Sequence, residues 1–334
     1  MVIVDSYPVA VAMCIITMLC WGSWANTQKL TGKEWRFQLF YWDYSLGVLL
    51  LALVFAFTMG SIGAEGRGFI EDLGQAGRSM LLAAFFGGVV FNFANILLVA
   101  AIDIAGMAVA FPVGVGIALS QGVFINYIAK PEGNPAILFI GVALVVAAIV
   151  IDAVAYRRMQ SGARRGTAKG LALSVIAGIS MGFFYRFVAD SMATDPVNPE
   201  AGFLTPYTAM AVFAAGLLLS NIVFITAIML KPISGGPVAP RDYLLKGTPR
   251  LHLIGILGGA IWGLGMLFSI IAAGAAGPAI SYGLGQGATM VAAFWGVCIW
   301  KEFKGAPAGT NRLVAAMFLF FILGLGCIIA ARVI

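Results

Sequence analysis

Apolar residues along this chain come in long, nearly unbroken runs. They show neither the alternation of a half-buried strand nor the one-sided stripe of a surface helix. A helix crossing the hydrocarbon core of a bilayer needs about 20 mostly apolar residues, with a range of about 17–25. Ten runs meet that length: 8–28, 37–59, 79–102, 105–129, 135–156, 168–190, 204–230, 250–273, 277–300 and 312–333. The pattern predicts an all-α integral membrane protein with ten transmembrane helices. The third and fourth runs are parted only around Asp103, and the eighth and ninth only by residues 274–277, so each pair is expected to form a tight hairpin. The first run lacks a basic leader and is followed by nine more, so it does not read as a cleavable signal. Most glycines fall within the runs, where small residues let helix backbones approach closely.

Composition agrees. Hydrophobic residues make up 61% of the 334 positions and charged residues only 10%. Soluble chains average roughly 45–50% and about 25%. A soluble enzyme, a nucleic-acid binder and a disordered chain are all poor fits. Fifteen of the 20 Lys and Arg residues fall in alternate joins: Lys29, Lys33 and Arg36; Arg157, Arg158, Arg164, Arg165 and Lys169; Lys231, Arg241, Lys246 and Arg250; Lys301, Lys304 and Arg312. The opposite joins hold only Arg67, Arg78, Lys130 and Arg332, together with the acidic stretch of Asp190, Asp195 and Glu200. The positive-inside rule then places the basic joins in the cytoplasm and both termini outside, in the inner membrane of a bacterium. The stretch from Gly162 to Thr167 lacks the spacing and the Lys-Ser/Thr ending of a phosphate-binding loop.

The chain also resembles itself. Set without gaps against 254–288, residues 83–117 place Gly87 and Gly88 on Gly258 and Gly259, and Ala105 and Gly106 on Ala276 and Gly277. Ala108, Phe111, Gly114 and Gly116 fall on Ala279, Tyr282, Gly285 and Gly287. Spans 3–4 are thus the counterparts of spans 8–9, a five-plus-five duplication. Because five is odd, the halves insert in opposite orientations. The expected organisation is a first repeat over 1–157, a short basic loop over 158–169 and a second repeat over 170–334. Inverted repeats characterise many secondary transporters, whose substrates bind near the midplane at the repeat interface.

Polar residues inside the runs are the candidate chemistry, because ionisable groups at depth are costly. Asp43 lies about two turns into span 2, and either carries a proton or holds helices together. Arg186 and Asp190, four apart on span 6, form a structural or gating pair. Asn92 and Asn95 in span 3 and Gln286 in span 9 suit a neutral ligand rich in amides or hydroxyls, or else bond helix to helix. Gln121 reads as structural. Trp21, Trp24 and Trp262 either offer flat faces for a ligand to stack on or simply pack between helices, with Tyr282 in the repeat-related hairpin. Cys14, Cys20, Cys298 and Cys327 sit in apolar runs without metal spacing, and His252 is the only histidine. No metal or other cofactor is expected.

The ten runs, the repeats and the glycine-rich hairpins resemble the drug/metabolite transporter superfamily. Trp42-Asp43-Tyr44-Ser45, Gly87-Gly88-Val89-Val90, Asn126-Tyr127 and Phe294-Trp295-Gly296-Val297 followed by Glu302 resemble the ureide permease family over nearly the whole chain. That resemblance implies proton-coupled uptake of allantoin-like ureides, uracil and related oxo-purines or pyrimidines, with Asp43 as the coupling carboxylate. Plant members carry a long central loop with a P-loop-like sequence, which is missing here. Related branches carry glucose, ribose or rhamnose, so a sugar or nucleoside remains the alternative substrate. The expected partners are a small neutral solute and the lipid bilayer, not nucleic acid, with a homodimer left open. A channel would need rings of charge or a carbonyl filter, and a membrane-embedded enzyme would need clustered carboxylates or His and Cys ligands. Neither pattern is visible, and without an ATPase motif the driving force is an ion gradient or the solute itself.

Overall fold

In a computed structural model the described residues are 1–32, 35–105, 107–159, 168–233 and 236–334. The central part of the basic loop, 160–167, with Lys33 and Gly106, lies outside them. The described residues form helices joined by shorter loops: α1 Tyr7–Ser23, α2 Ala25–Leu30, α3 Phe37–Phe57, α4 Phe69–Gln75, α5 Arg78–Ala105, α6 Met107–Ala129 and α7 Pro135–Met159. Then follow α8 Ala168–Ser191, α9 Pro206–Leu230, α10 Asp242–Leu245, α11 Pro249–Ala276, α12 Pro278–Gly285, α13 Ala288–Phe294, a π-helical turn Trp295–Ile299 and α14 Thr310–Ala330. Prolines open α1, α9, α11 and α12 within their first two positions, where the missing N–H removes no helical bond. Thr248 caps α11, its hydroxyl accepting from the Leu251 N–H.

Among the described residues, nine helices are long and apolar enough to cross a membrane, α1 and α2 counting as one over Tyr7–Leu30. Helices are the expected solution in lipid, because every backbone polar group must be satisfied within the segment. The run expected as one span over 277–300 is instead broken into α12, α13 and the π-helical turn. Gly285-Gln286-Gly287 causes the break, since glycine is costly inside a helix. The run nevertheless reaches from one end of the bundle to the other. Gly277, whose φ is +84°, packs on Glu132. At the far end the Trp300 indole donates to Asn26 Oδ1 (2.7 Å), and Glu302 receives Lys29 Nζ (3.2 Å) and Tyr156 OH (2.6 Å).

Helix packing follows a pattern that survives exchange of the two halves. α5 packs against α8 and α9, and α11 packs against α1 and α3. α6 packs against α8, as α12 and α13 pack against α1. Four glycines make the closest crossings. A Cβ on Gly259 would overlap the Tyr44 carbonyl oxygen, and one on Gly47 that of Ile256, so α3 and α11 touch backbone to backbone. A Cβ on Gly88 would overlap the Phe213 carbonyl oxygen, and one on Gly216 that of Phe85, which does the same for α5 and α9. In each crossing the blocking carbonyl lies three residues before the partner glycine.

Candidate functional site

Asp43 lies in the second turn of α3 with only 1% of its surface exposed. Its Oδ1 accepts a hydrogen bond from Tyr243 OH (2.5 Å) and lies 2.9 Å from His252 Nδ1. Tyr243 comes from α10, the short helix in the join between α9 and α11. His252 comes from the first turn of α11. Gly255, one turn further on, has no side chain, and this lets α11 lie directly on Asp43. The buried Trp35 ring stands edge-on to His252 (centroids 5.2 Å apart) and tilted against Tyr243 (5.9 Å). Asp43 Oδ2 and Trp35 Nε1 are both buried, and neither makes a hydrogen bond of good geometry, although the indole N–H is near enough to act on the carboxylate. A buried carboxylate is costly unless paired and hydrogen-bonded. Here the partner is an imidazole, whose two ring nitrogens can each serve as donor or acceptor.

Toward the middle of the bundle, three of the expected aromatic residues come together. The Trp21 and Trp262 rings stack at 5.8 Å, and Tyr44 bridges Trp24 (4.7 Å) and Trp262 (6.2 Å). Phe91 closes on Trp262 at 4.3 Å and Phe213 at 5.9 Å, so α1, α3, α5, α9 and α11 all contribute. Trp21 lies over Gly265 and Gly285, directly before the break at Gln286. The Tyr44 hydroxyl is buried without a partner. Beside this cluster runs an amide network. Asn92 Nδ2 donates to Ser220 Oγ (2.7 Å), Asn221 Oδ1 (2.9 Å) and the Leu217 carbonyl (3.3 Å). Asn221 in turn donates to Ser45 Oγ (2.7 Å), and Asn95 Nδ2 donates to Tyr41 OH (2.9 Å). The amide nitrogens of Asn92 and Asn95 thus tie helices together, while Asn92 Oδ1 is buried and unpartnered.

The other expected residues stand apart from this centre. Tyr282 is buried on α12 and donates to the carbonyls of Ala118 (3.1 Å) and Met181 (3.3 Å), joining α6, α8 and α12. Gln121 donates to the Ile179 carbonyl (3.1 Å), the structural use expected of it. Gln286 is partly exposed at the break in the ninth run. Arg186 and Asp190 form their ion pair on α8, both partly exposed. Two cavities lie toward opposite ends of the bundle. One is bounded by Val4, Lys130, Thr194, Tyr207 and Pro278, the other by Arg36, Gln38, Asp103 and Ile233. Neither is lined by Asn92, Trp262 or Gln286; Asn92 and Trp262 are buried, and Gln286 is partly exposed. Sequence reasoning used His252 only to exclude a metal site, and it missed Tyr243, Tyr44's lone hydroxyl and Asn221. The available signal was that His252 and Asp43 both sit just inside runs that enter from the basic end.

A ureide permease family profile matches residues 40–165 and 155–331. Ureide permease 1 and Ureide permease 2 of Arabidopsis thaliana are each 24% identical to the chain, over 390 and 398 aligned residues, covering 99% of this chain and 99% of each relative. Probable ureide permease A3 of Vigna unguiculata is 29% identical over 154 residues, 45% of this chain and 41% of that protein. A protein of known crystal structure superposes with a TM-score of 0.61 at 15% identity over 96% of both chains, a likeness of fold alone.

Proposed function

The chain belongs to the ureide permease family, and on that premise we propose that it is a secondary active transporter importing a ureide, nucleobase or related purine or pyrimidine compound, coupled to protons through Asp43. The observation that carries this reading is the correspondence with ureide permeases over the whole chain rather than over one motif. The solute site is the cluster of Trp21, Trp24, Tyr44 and Trp262, with Tyr44 OH and Asn92 Oδ1 as polar contacts. Buried polar groups without partners are rare and call for an explanation, and a planar ligand with amide N–H and C=O groups would satisfy both. Tyr44 and Trp262 are buried while Trp21 and Trp24 are partly exposed, so the solute reaches the inner rings when the bundle opens at one end, and alternating access follows from rocking one five-helix repeat against the other. The broken run over 277–300 counts as the ninth crossing, and interrupted helices are typical of transporter binding sites. Both termini then lie outside.

Purified protein in vesicles with an imposed pH gradient tests the reading. Labelled allantoin or uracil should accumulate saturably, and trans unlabelled solute should accelerate exchange. The gradient's collapse by a protonophore should abolish accumulation. If glucose, ribose or a nucleoside accumulates and the ureides and bases do not, the substrate class is wrong. Flux without saturation or counterflow would mark a channel.

A further inference from the structure

Asp43 is nearly sealed, so a proton bound there needs a way out. The groups touching its carboxylate oxygen Oδ1 are Tyr243 OH and His252 Nδ1. The His252 side chain is 27% exposed, against 1% for Asp43. We infer that His252 is the group through which the Asp43 proton leaves toward the basic end of the bundle. This rests on Asp43 being the coupling carboxylate.

The step balances simply. The Asp43 Oδ1–H bond breaks as His252 Nδ1–H forms, leaving a carboxylate beside an imidazolium. The imidazolium then loses its Nε2 proton to water. What remains is a neutral imidazole whose Nδ1–H donates to the carboxylate. Exchange with water resets the tautomer once α3 and α11 part. An imidazole is suited to this because its two ring nitrogens let it take a proton at one and release it from the other.

Tyr243 plays a different part. Burial, and then its bond to the Asp43 carboxylate, hold its phenol well above the ordinary tyrosine range. It keeps its proton and serves as a positioning residue, fastening the α9–α11 join over the dyad. Arg36 fastens the same join from α3's start by donating to the Gly236 carbonyl (2.9 Å). The titratable groups facing His252 are Asp43 on α3 and Tyr243 on α10. Its own helix adds Arg250. Lys246 on the join is ion-paired with Asp242 (2.8 Å), and Trp35 faces His252 with an uncharged ring.

Vesicle transport separates this inference from the one beneath it. His252→Gln should slow gradient-driven accumulation by about tenfold or more, while exchange of labelled for unlabelled solute stays near the wild-type rate. Tyr243→Phe should keep coupling and its pH profile. If Asp43→Asn abolishes accumulation but His252→Gln accumulates with the wild-type rate and pH profile, the relay is overturned and Asp43 stands. If Asp43→Asn itself accumulates normally, the coupling assignment fails and takes the relay with it. Should His252→Gln lose exchange as well, the nitrogen resonances of the only histidine decide. The Nδ1 signal of the otherwise native protein must move when Asp43 becomes Asn, and must change with pH under solute saturation. A signal indifferent to both overturns the proposal.

Discussion

Among single residues, Tyr44 and Asn92 look alike in composition terms, as buried polar groups near mid-span, yet their bonds separate them. The Tyr44 hydroxyl has no partner, whereas the Asn92 amide nitrogen shares its two N–H groups among three acceptors on α9 and leaves only its Oδ1 unpartnered. Tyr44→Phe removes an unsatisfied group, so folding stability should stay level or rise by about 1 kcal/mol. Solute affinity should fall by roughly 0.5–1.5 kcal/mol, up to about tenfold, if the hydroxyl meets the ligand. Asn92→Ala should lose on both counts. Interhelical bonds in membranes average about 0.6 kcal/mol each, so it should lose about 1–2 kcal/mol of stability, and affinity should fall by up to about tenfold as the Oδ1 contact goes. Denaturant midpoints in detergent and binding isotherms on the same samples check both. Tyr44→Phe with unchanged affinity would remove the hydroxyl from the solute site. Asp43 was legible in the sequence because a lone carboxylate in an apolar run is costly, and so either carries a proton or holds helices together. Its partners were not. Tyr243 and His252 lie about 200 residues away, and reach it only because the α9–α11 join folds back and Gly255 lets α11 close in.

For the helices, length and apolarity were enough to locate nine spans within a few residues, as with 79–102 against Arg78–Ala105. The broken run was hidden because Gly285-Gln286-Gly287 barely lowers the local apolarity, although it removes the side chains that would hold a helix straight. The glycines themselves were legible as close-packing residues, but not which helix each one meets. That information now yields a contrast. Gly47→Ala, Gly88→Ala, Gly216→Ala and Gly259→Ala each push a methyl into a neighbouring carbonyl, and each should lose about 1–3 kcal/mol. Gly326→Ala on α14 meets nothing within 4 Å and should gain up to about 1 kcal/mol from helix propensity. Equal midpoints for all five variants would mean that the α3–α11 and α5–α9 crossings are looser than described. Similar losses from the two crossings would fit their origin in one duplicated unit.

For the whole molecule, the topology turns on the broken run. The exchangeable packing pattern favours a crossing: α12 and α13 sit on α1 as α6 sits on α8, and α6 is a full-length apolar helix. Charge favours it too. If the run did not cross, Lys301, Lys304 and Arg312 would share a side with Asp195 and Glu200, against the basic bias of the other alternate joins. Three crossings would separate Asn198 from Lys304 if the run spans, through α9, α11 and the broken segment, and only two if it does not. Single cysteines at Asn198 and Lys304 therefore answer the question. The background needs Cys298 and Cys327 replaced by Ser, because the first thiol is exposed and the second partly so, whereas Cys14 and Cys20 are buried. An impermeant maleimide applied to intact cells should label Asn198→Cys and leave Lys304→Cys untouched until the membrane is opened. Labelling of both from outside would leave nine crossings and break the inverted pairing of spans 4 and 9. Labelling of Lys304→Cys alone would keep ten crossings but reverse the orientation. The Asp43–His252 dyad would then face the exterior, and would have to load protons rather than release them.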